Sequence, residues 1–189
     1  MKNKIYEPSE DTFSLIEALE KDINYLRKQK NAIFIEIGCG SNYISNFIKK
    51  TLNTFIISTD INTFALQSLT RKENINSFNL IRANLLTNII QKNISILIFN
   101  PPYLETEEDE MNHYDIRASY AGGLKGRVII DQFISQLSKI NTIYLLVIKI
   151  NKPSEIISKL EQKNYKCEII YSKKCYNETY FVIKGIKIH

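Results

Sequence analysis

The sequence predicts an α/β fold: a mostly parallel sheet with helices on both faces and a C-terminal antiparallel hairpin. Three observations carry this expectation. Short continuous apolar runs rich in β-branched residues recur along the chain, as in strands buried on both faces. Segments with apolar residues three or four apart separate them, the signature of amphipathic helices. The last segment instead alternates apolar and polar residues, as a hairpin does.

Taken in order, Phe13, Ile16, Leu19, Ile23 and Leu26 line one face of a first helix. Pro8, Ser9, Glu10 and Asp11 mark its start, with a proline in the first turn and carboxylates facing the positive end of the helix dipole. Residues 32–37 form the first core strand, broken by Gly38-Cys39-Gly40. Ile44, Phe47 and Ile48 predict a short helix, residues 54–59 a second strand ending at Asp60, and Phe64, Leu66 and Leu69 another helix. Strands follow at 79–82 and 94–99, a helix at 128–137, a fifth strand at 142–148, and a helix from Pro153 to about Asn164. Residues 167–171 and 180–188 are the two arms of the terminal hairpin.

The chain has 189 residues, 44% hydrophobic and 24% charged, which suits a single domain over residues 1–189 with a real core. Its longest apolar run, residues 143–148, is far short of the ~20 residues of a membrane span. The opening residues turn acidic at Glu7 before any apolar stretch, unlike a secretory signal. Cys39, Cys167 and Cys175 form no CxxC pair, and His113 and His189 lie far apart, so no metal-ligand set is visible. Reduced cysteines point to the cytoplasm, with the nucleus as a second compartment. The triplets beginning at Asn93 and Asn177 are chance glycosylation patterns in an Asn-rich chain. The net charge of +5 is dispersed and includes no arginine-rich block, which favours a solvated lysine-rich surface over a nucleic-acid footprint.

In parallel sheets, ligands sit outside the carboxyl ends of the strands. Unusual residues cluster there. Glu36-Ile37-Gly38-Cys39-Gly40-Ser41-Asn42 follows the first strand, and its glycines permit a tight turn and close approach to a ligand. Tyr43 stands where a dinucleotide fingerprint needs its third glycine, and no Lys-Ser/Thr phosphate cradle is present. Asp60 ends the second strand, where a carboxylate can accept both hydroxyls of a ribose; Asn62 serves equally well as the following helix cap, leaving Asp60 for a ligand. The decisive feature is Asn100-Pro101-Pro102-Tyr103 after the fourth strand. Two prolines stiffen the backbone. The Asn100 oxygen and the Pro101 carbonyl together could take both hydrogens of a planar amino group, with the ring of Tyr103 as a flat face.

Glu36-x-Gly38-x-Gly40, Asp60 and Asn100-Pro101-Pro102-Tyr103, in this order and spacing, resemble the class I S-adenosyl-L-methionine-dependent methyltransferases that act on amide or exocyclic amino nitrogens. Residues 6–13 (Tyr-Glu-Pro-Ser-Glu-Asp-Thr-Phe) and 121–127 (Ala-Gly-Gly-Leu-Lys-Gly-Arg) resemble a narrower, HemK-like group. That group comprises the catalytic subunits of the eukaryotic and archaeal enzyme that N5-methylates the glutamine of the Gly-Gly-Gln motif in class I release factors. The resemblance implies a Rossmann-like methyltransferase fold with S-adenosyl-L-methionine as cofactor. It places Glu36, Gly38 and Gly40 beneath the methionine part, Asp60 with Ile61 at the ribose, and Asn84 with Leu85 beside the adenine. Thr12, from an N-terminal helical segment over residues 1–30, closes the site, and Asn100, Pro101, Pro102 and Tyr103 hold the acceptor nitrogen. Two positions depart from the family pattern: Asn42 replaces its usual third glycine, and Asn84 an acidic residue.

The alternatives are an adenine-N6 methyltransferase of DNA or RNA, a protein lysine methyltransferase, and a cofactor-binding protein without catalysis. Glu105, Glu107, Glu108, Asp109 and Glu110 follow Tyr103 closely and would repel a phosphate backbone, so nucleic acid is an unfavoured substrate. An intact Asn100–Tyr103 motif disfavours a non-catalytic protein. The opening motif begins at Tyr6, without the additional N-terminal helical domain of bacterial relatives. The resemblance implies instead a heterodimer with a small zinc-binding activator subunit, the zinc lying in the partner. The third strand is expected at a sheet edge, so Phe78–Leu86, with Leu80, Ile81, Leu85 and Leu86, is the expected partner surface.

Overall fold

Five strands run parallel: β1 (Phe34–Ile37), β2 (Ile56–Asp60), β3 (Asn79–Arg82), β4 (Ile96–Phe99) and β5 (Thr142–Ile148). The computed structural model describes residues 5–29, 31–72, 79–111 and 116–188. Two antiparallel strands, β6 (Tyr165–Cys175) and β7 (Glu178–Lys187), complete a sheet ordered β3-β2-β1-β4-β5-β7-β6. The helices are α1 (Glu10–Lys21), α2 (Ile23–Lys28), α3 (Tyr43–Leu52), α4 (Thr63–Lys72), α5 (Val128–Gln136) and α6 (Pro153–Glu161). The architecture is the one the alternation of runs predicts.

Strand periodicity sorts the core into two layers. Ile35, Ile37, Leu97, Phe99, Ile143 and Leu145 pack against Phe133 and Ile134 of α5 and Ile156 and Leu160 of α6. Phe34, Ile96, Ile98, Tyr144 and Leu146 face the other way, against Leu15 and Leu19 of α1, Leu26 of α2 and Ile48 of α3. Both faces of β1, β4 and β5 are therefore buried, which explains their continuous apolar sequences.

Several expected details differ. The first helix is two, broken at Asp22, whose backbone leaves helical geometry at φ −100° and ψ 15°. There the Asp22 carboxylate accepts hydrogen bonds from Tyr144 (2.6 Å) and Lys184 (2.5 Å), which hold it against β5 and β7. Ser9, in extended geometry, is the N-cap, so Pro8 precedes the helix instead of lying in its first turn. The buried face of α1 carries Asp11, Leu15, Ala18 and Leu19, whereas Phe13 is 39% exposed and its ring packs T-shaped with that of Tyr43, centroids 5.8 Å apart. The hairpin is longer than its alternation suggests and has a bulge between Ile169 and Tyr171 that breaks the pattern.

β3 lies at the sheet edge as expected, with Ile81 40% exposed. Not all of the Phe78–Leu86 segment is exposed, however. Leu85 and Leu86 belong to the core, Leu86 being only 4% exposed and bonded through its N–H to Gln136 Oε1 (2.9 Å). They close the sheet end beneath α5 and cannot face a partner without unpacking it. Phe78 lies outside the described residues.

Candidate active site

The order β3-β2-β1-β4-β5 reverses direction between β1 and β4. Connections leave these two strands toward opposite sides, and the crevice beyond their carboxyl ends is where such sheets bind ligands. Ile37 pairs with Phe99, so Gly38 and Asn100 emerge side by side from neighbouring strands. Topology thus joins two motifs that are sixty residues apart.

The loop after β1 turns through Gly38 at φ +65° and Gly40 at φ +50°, conformations that glycine adopts without strain. Hydrogen bonds hold it to β2: Cys39 N–H donates to the Thr59 carbonyl (2.8 Å) and Gly40 N–H to Asp60 Oδ2 (2.8 Å). Asp60 Oδ1 accepts from Asn62 N–H (2.8 Å), and Asn62 caps α4 by accepting from Phe64 N–H (2.9 Å). The sequence reading left Asp60 free for a ligand, whereas the structure has it already accepting backbone N–H groups. Both of its oxygens accept from backbone N–H groups, with lone-pair capacity left over for a ligand. Burial raises its pKa, and these N–H groups work against that rise.

Glu36 lies on the opposite side of β1 from Ile35 and Ile37, buried at the base of α3. Ser45 donates to it from both N–H (2.8 Å) and hydroxyl, and Ser58 donates to Ser45 Oγ (2.8 Å). Desolvation pushes the Glu36 carboxyl up to about 8 despite these bonds.

A cavity of about 280 Å³ opens above this floor. Of the residues singled out in the sequence, Thr12, Glu36, Gly38, Gly40, Asp60, Ile61, Asn84, Leu85, Asn100 and Pro102 line it. Pro101 and Tyr103 do not. Pro101 is buried, and the Tyr103 ring meets Tyr180 edge-on at 6.2 Å while its hydroxyl donates to Asp11 Oδ2 (3.1 Å). Burial and the Asp11 charge raise the pKa of Tyr103, which keeps this hydroxyl a donor.

Asn100 lines the cavity at the end of β4. Its Nδ2 donates to Asp11 Oδ2 (3.0 Å), and its Oδ1 is buried without a hydrogen-bond partner among the described residues. Buried acceptors are nearly always paired. An unpaired one beside a cavity is poised for an incoming donor.

The segment beyond Asn100 is held by residues 121–126. Gly122 N–H donates to the Leu104 carbonyl (2.8 Å), and the fully buried Asn151 donates to the carbonyls of Tyr103 (2.9 Å) and Lys125 (3.0 Å). A Cβ on Gly126 would lie 1.8 Å from the Tyr103 carbonyl oxygen, so only glycine permits this approach. Val128 N–H donates to the Gly122 carbonyl, and Arg127 pairs with Asp131 (3.2 Å) and Glu155. The Gly-Gly-Leu-Lys-Gly-Arg segment thus both buttresses the corner and starts α5.

Sequence reading missed Asp11, Tyr6 and Ser45. Asp11 could have been found: at i−4 from Leu15 and i−8 from Leu19, it is a carboxylate on the buried face of its helix. Tyr6, known from the sequence only as the start of the opening motif, also lines the cavity, as do Tyr43, Met111, Ser119 and Gln132, which carry no local signal.

Comparison with known proteins identifies the family. The profile of the methyltransferase small domain matches residues 12–118. Methyltransferase HEMK2 of Homo sapiens is 32% identical over 97% of this chain and 90% of its own length. The eRF1 methyltransferase catalytic subunit mtq2 of Schizosaccharomyces pombe is 30% identical over the same shares. Among solved structures, the E. cuniculi Mtq2-Trm112 complex, responsible for methylation of the eRF1 translation termination factor, contains a chain similar to this one. The TM-score is 0.81 at 33% identity, covering 97% of this chain and 99% of that one. A profile spanning more than half of the sequence, with relatives alike along nearly their whole length, places the chain in the methyltransferase small domain family.

Proposed function

We propose that the chain transfers a methyl group from S-adenosyl-L-methionine to the side-chain nitrogen of the glutamine in the Gly-Gly-Gln motif of a class I release factor. In this reading residues 1–189 are one methyltransferase domain acting in the cytoplasm, and the nucleus is a second compartment. Its partner is a small zinc-binding activator subunit at the β3 edge.

The residues lining the cavity fit the cofactor. Two acidic groups, Glu36 and Asp60, suit a ligand with a cationic end, which favours the ionised form of Glu36, and with ribose hydroxyls, and the Gly38–Gly40 turn offers bare backbone beside them. When bound, the cofactor supplies an activated methyl group. The chain's task is to present a nucleophile, because an amide nitrogen's lone pair is delocalised into its carbonyl. The observation that carries the reading is the buried, unpaired Oδ1 of Asn100 at the cavity. It can accept one N–H of a carboxamide, and the Pro101 carbonyl is the proposed acceptor for the other. Holding both orients the nitrogen toward the methyl group and stabilises the positive charge that develops there. No covalent intermediate or strong base is needed, because the methylated nitrogen, cationic once it carries the methyl group, is acidic enough to lose one of its two protons to water.

The test is methyl transfer from labelled cofactor by the chain copurified with its activator subunit. Release factor, DNA, RNA and lysine-bearing peptides are offered as acceptors. Label is expected on the release-factor glutamine. Asn100→Ala should lower turnover at least about 100-fold while cofactor binding persists. Label on nucleic acid or lysine instead, or near-normal turnover by the variant, would overturn the proposal.

A further inference from the structure

Asp11 has no place in the mechanism described so far, yet it is 3% exposed beneath the reactive corner and surrounded by donors. Its Oδ1 accepts from Thr12 N–H (2.7 Å) and the Tyr6 hydroxyl (2.6 Å). Its Oδ2 accepts from Asn100 Nδ2 (3.0 Å) and the Tyr103 hydroxyl (3.1 Å). All these groups converge on one carboxylate from two chain segments nearly ninety residues apart.

We propose that Asp11 is the positioning residue that sets which way the Asn100 amide points, through the hydrogen bond that leaves Asn100 Oδ1 facing the substrate. The inference rests on the reading in which that oxygen receives a substrate N–H. An asparagine amide has two ends of nearly equal shape and opposite hydrogen-bonding sense. Turned over, it would present N–H groups to an incoming N–H and reject it. A carboxylate only accepts hydrogen bonds, so the end facing Asp11 must be the NH2. The Tyr6 and Tyr103 hydroxyls, both with pKa raised by burial and by the Asp11 charge, stay protonated and hold the carboxylate in place. The negative charge behind Nδ2 also polarises the amide and strengthens Oδ1 as an acceptor while charge develops on the substrate nitrogen.

The experiment compares wild type, Asp11→Asn, Asn100→Ala and the double variant, each as the full chain with its activator subunit. Asp11→Asn keeps the shape of the side chain and removes the acceptor-only rule. Its kcat on release factor should fall about 100-fold, with cofactor Kd within about threefold of wild type. The double variant should be no slower than Asn100→Ala, because both changes remove one function. Without any turnover, NMR of the cofactor-free protein should show the Asn100 side-chain NH2 protons shifted downfield in wild type and relaxed in Asp11→Asn. Asp11→Asn turnover within threefold of wild type would overturn the proposal. So would a kcat loss matched by an equal loss of cofactor affinity, or ordinary Asn100 amide shifts in the wild-type spectrum. If the wild type leaves the release factor unmethylated, the functional reading fails instead, and the NMR comparison still decides the role of Asp11.

Discussion

Asn42 shows how one side chain can work against its own site. The backbone there is left-handed, φ +65°, a conformation that asparagine tolerates better than most residues. Yet both polar atoms of its amide are buried with no hydrogen-bond partner among the described residues. An unsatisfied buried amide costs about 1–3 kcal/mol, against about 0.5–1 kcal/mol for the extra freedom of glycine in the unfolded chain. Asn42→Gly should therefore stabilise the protein by about 1 kcal/mol, seen as a higher urea midpoint; an unchanged or lower midpoint would contradict this reading. Glu36 makes a pH-dependent contribution. Its carboxyl titrates near 8 in the fold and near 4.5 in a free chain, so the folded state holds the proton more tightly. A pKa raised by folding adds stability that is full below the unfolded value and is lost as pH rises through the folded one. Each pH unit between the two costs the wild type up to about 1.4 kcal/mol. Glu36→Gln can still accept from Ser45 and has no proton to lose. Urea unfolding between pH 5 and 8.5 should give the variant a flatter stability profile; parallel profiles would exclude the assignment.

At the scale of elements, β3 and the segment after it divide between surface and core. Ile81 sits half-exposed on an edge strand paired on one side with β2, while Leu86 four residues after the strand is sealed in the core. If the activator covers this edge, Ile81→Lys should abolish copurification of the two subunits and leave the melting temperature of the isolated chain within a few degrees of wild type. A lysine is a natural guard for an exposed edge and disturbs no buried contact. Unimpaired copurification would move the partner surface elsewhere. The acidic segment after Tyr103 is likewise two-sided. Glu105, Glu107, Glu108 and Asp109 face solvent, while Leu104 N–H bonds the Tyr120 carbonyl (3.1 Å) and Gly123 N–H bonds Thr106 Oγ1 (3.1 Å). Charge composition made the outer side legible; the inner side depends on glycines meeting backbone, which no periodicity announces.

Across the whole molecule, the chain's two ends are locked together. Tyr171 and Lys173 of β6 bond Glu17 of α1, and Lys173 also reaches Glu10 (3.3 Å). Lys184 of β7, 5% exposed, pairs with Asp22 and lies 3.6 Å from the centre of the Tyr25 ring. These contacts seat α1, and with it Asp11 and Thr12, over the active corner. Asp22→Ala would leave a buried ammonium without its counter-charge. The expected loss is about 3 kcal/mol, the low end for a broken buried pair, since Asp22 keeps 21% of its side-chain surface. Urea unfolding measures it, and a loss below about 1 kcal/mol would show that water replaces the carboxylate.

Strand and helix order, the parallel sheet, the glycine turn, Asp60 and the Asn-Pro-Pro-Tyr corner were all legible in the chain, because burial on both faces and backbone freedom leave local marks. The split of the first helix, the burial of Leu85 and Leu86, and the turning of Tyr103 away from the cavity were not. Each is settled by a partner far along the chain: Lys184 for Asp22, Gln136 for Leu86, Asp11 for Tyr103. Local pattern determines which side chains seek burial. Only the packed sheet decides which distant donor or acceptor meets them, and so which oxygen of the corner is left open for a substrate.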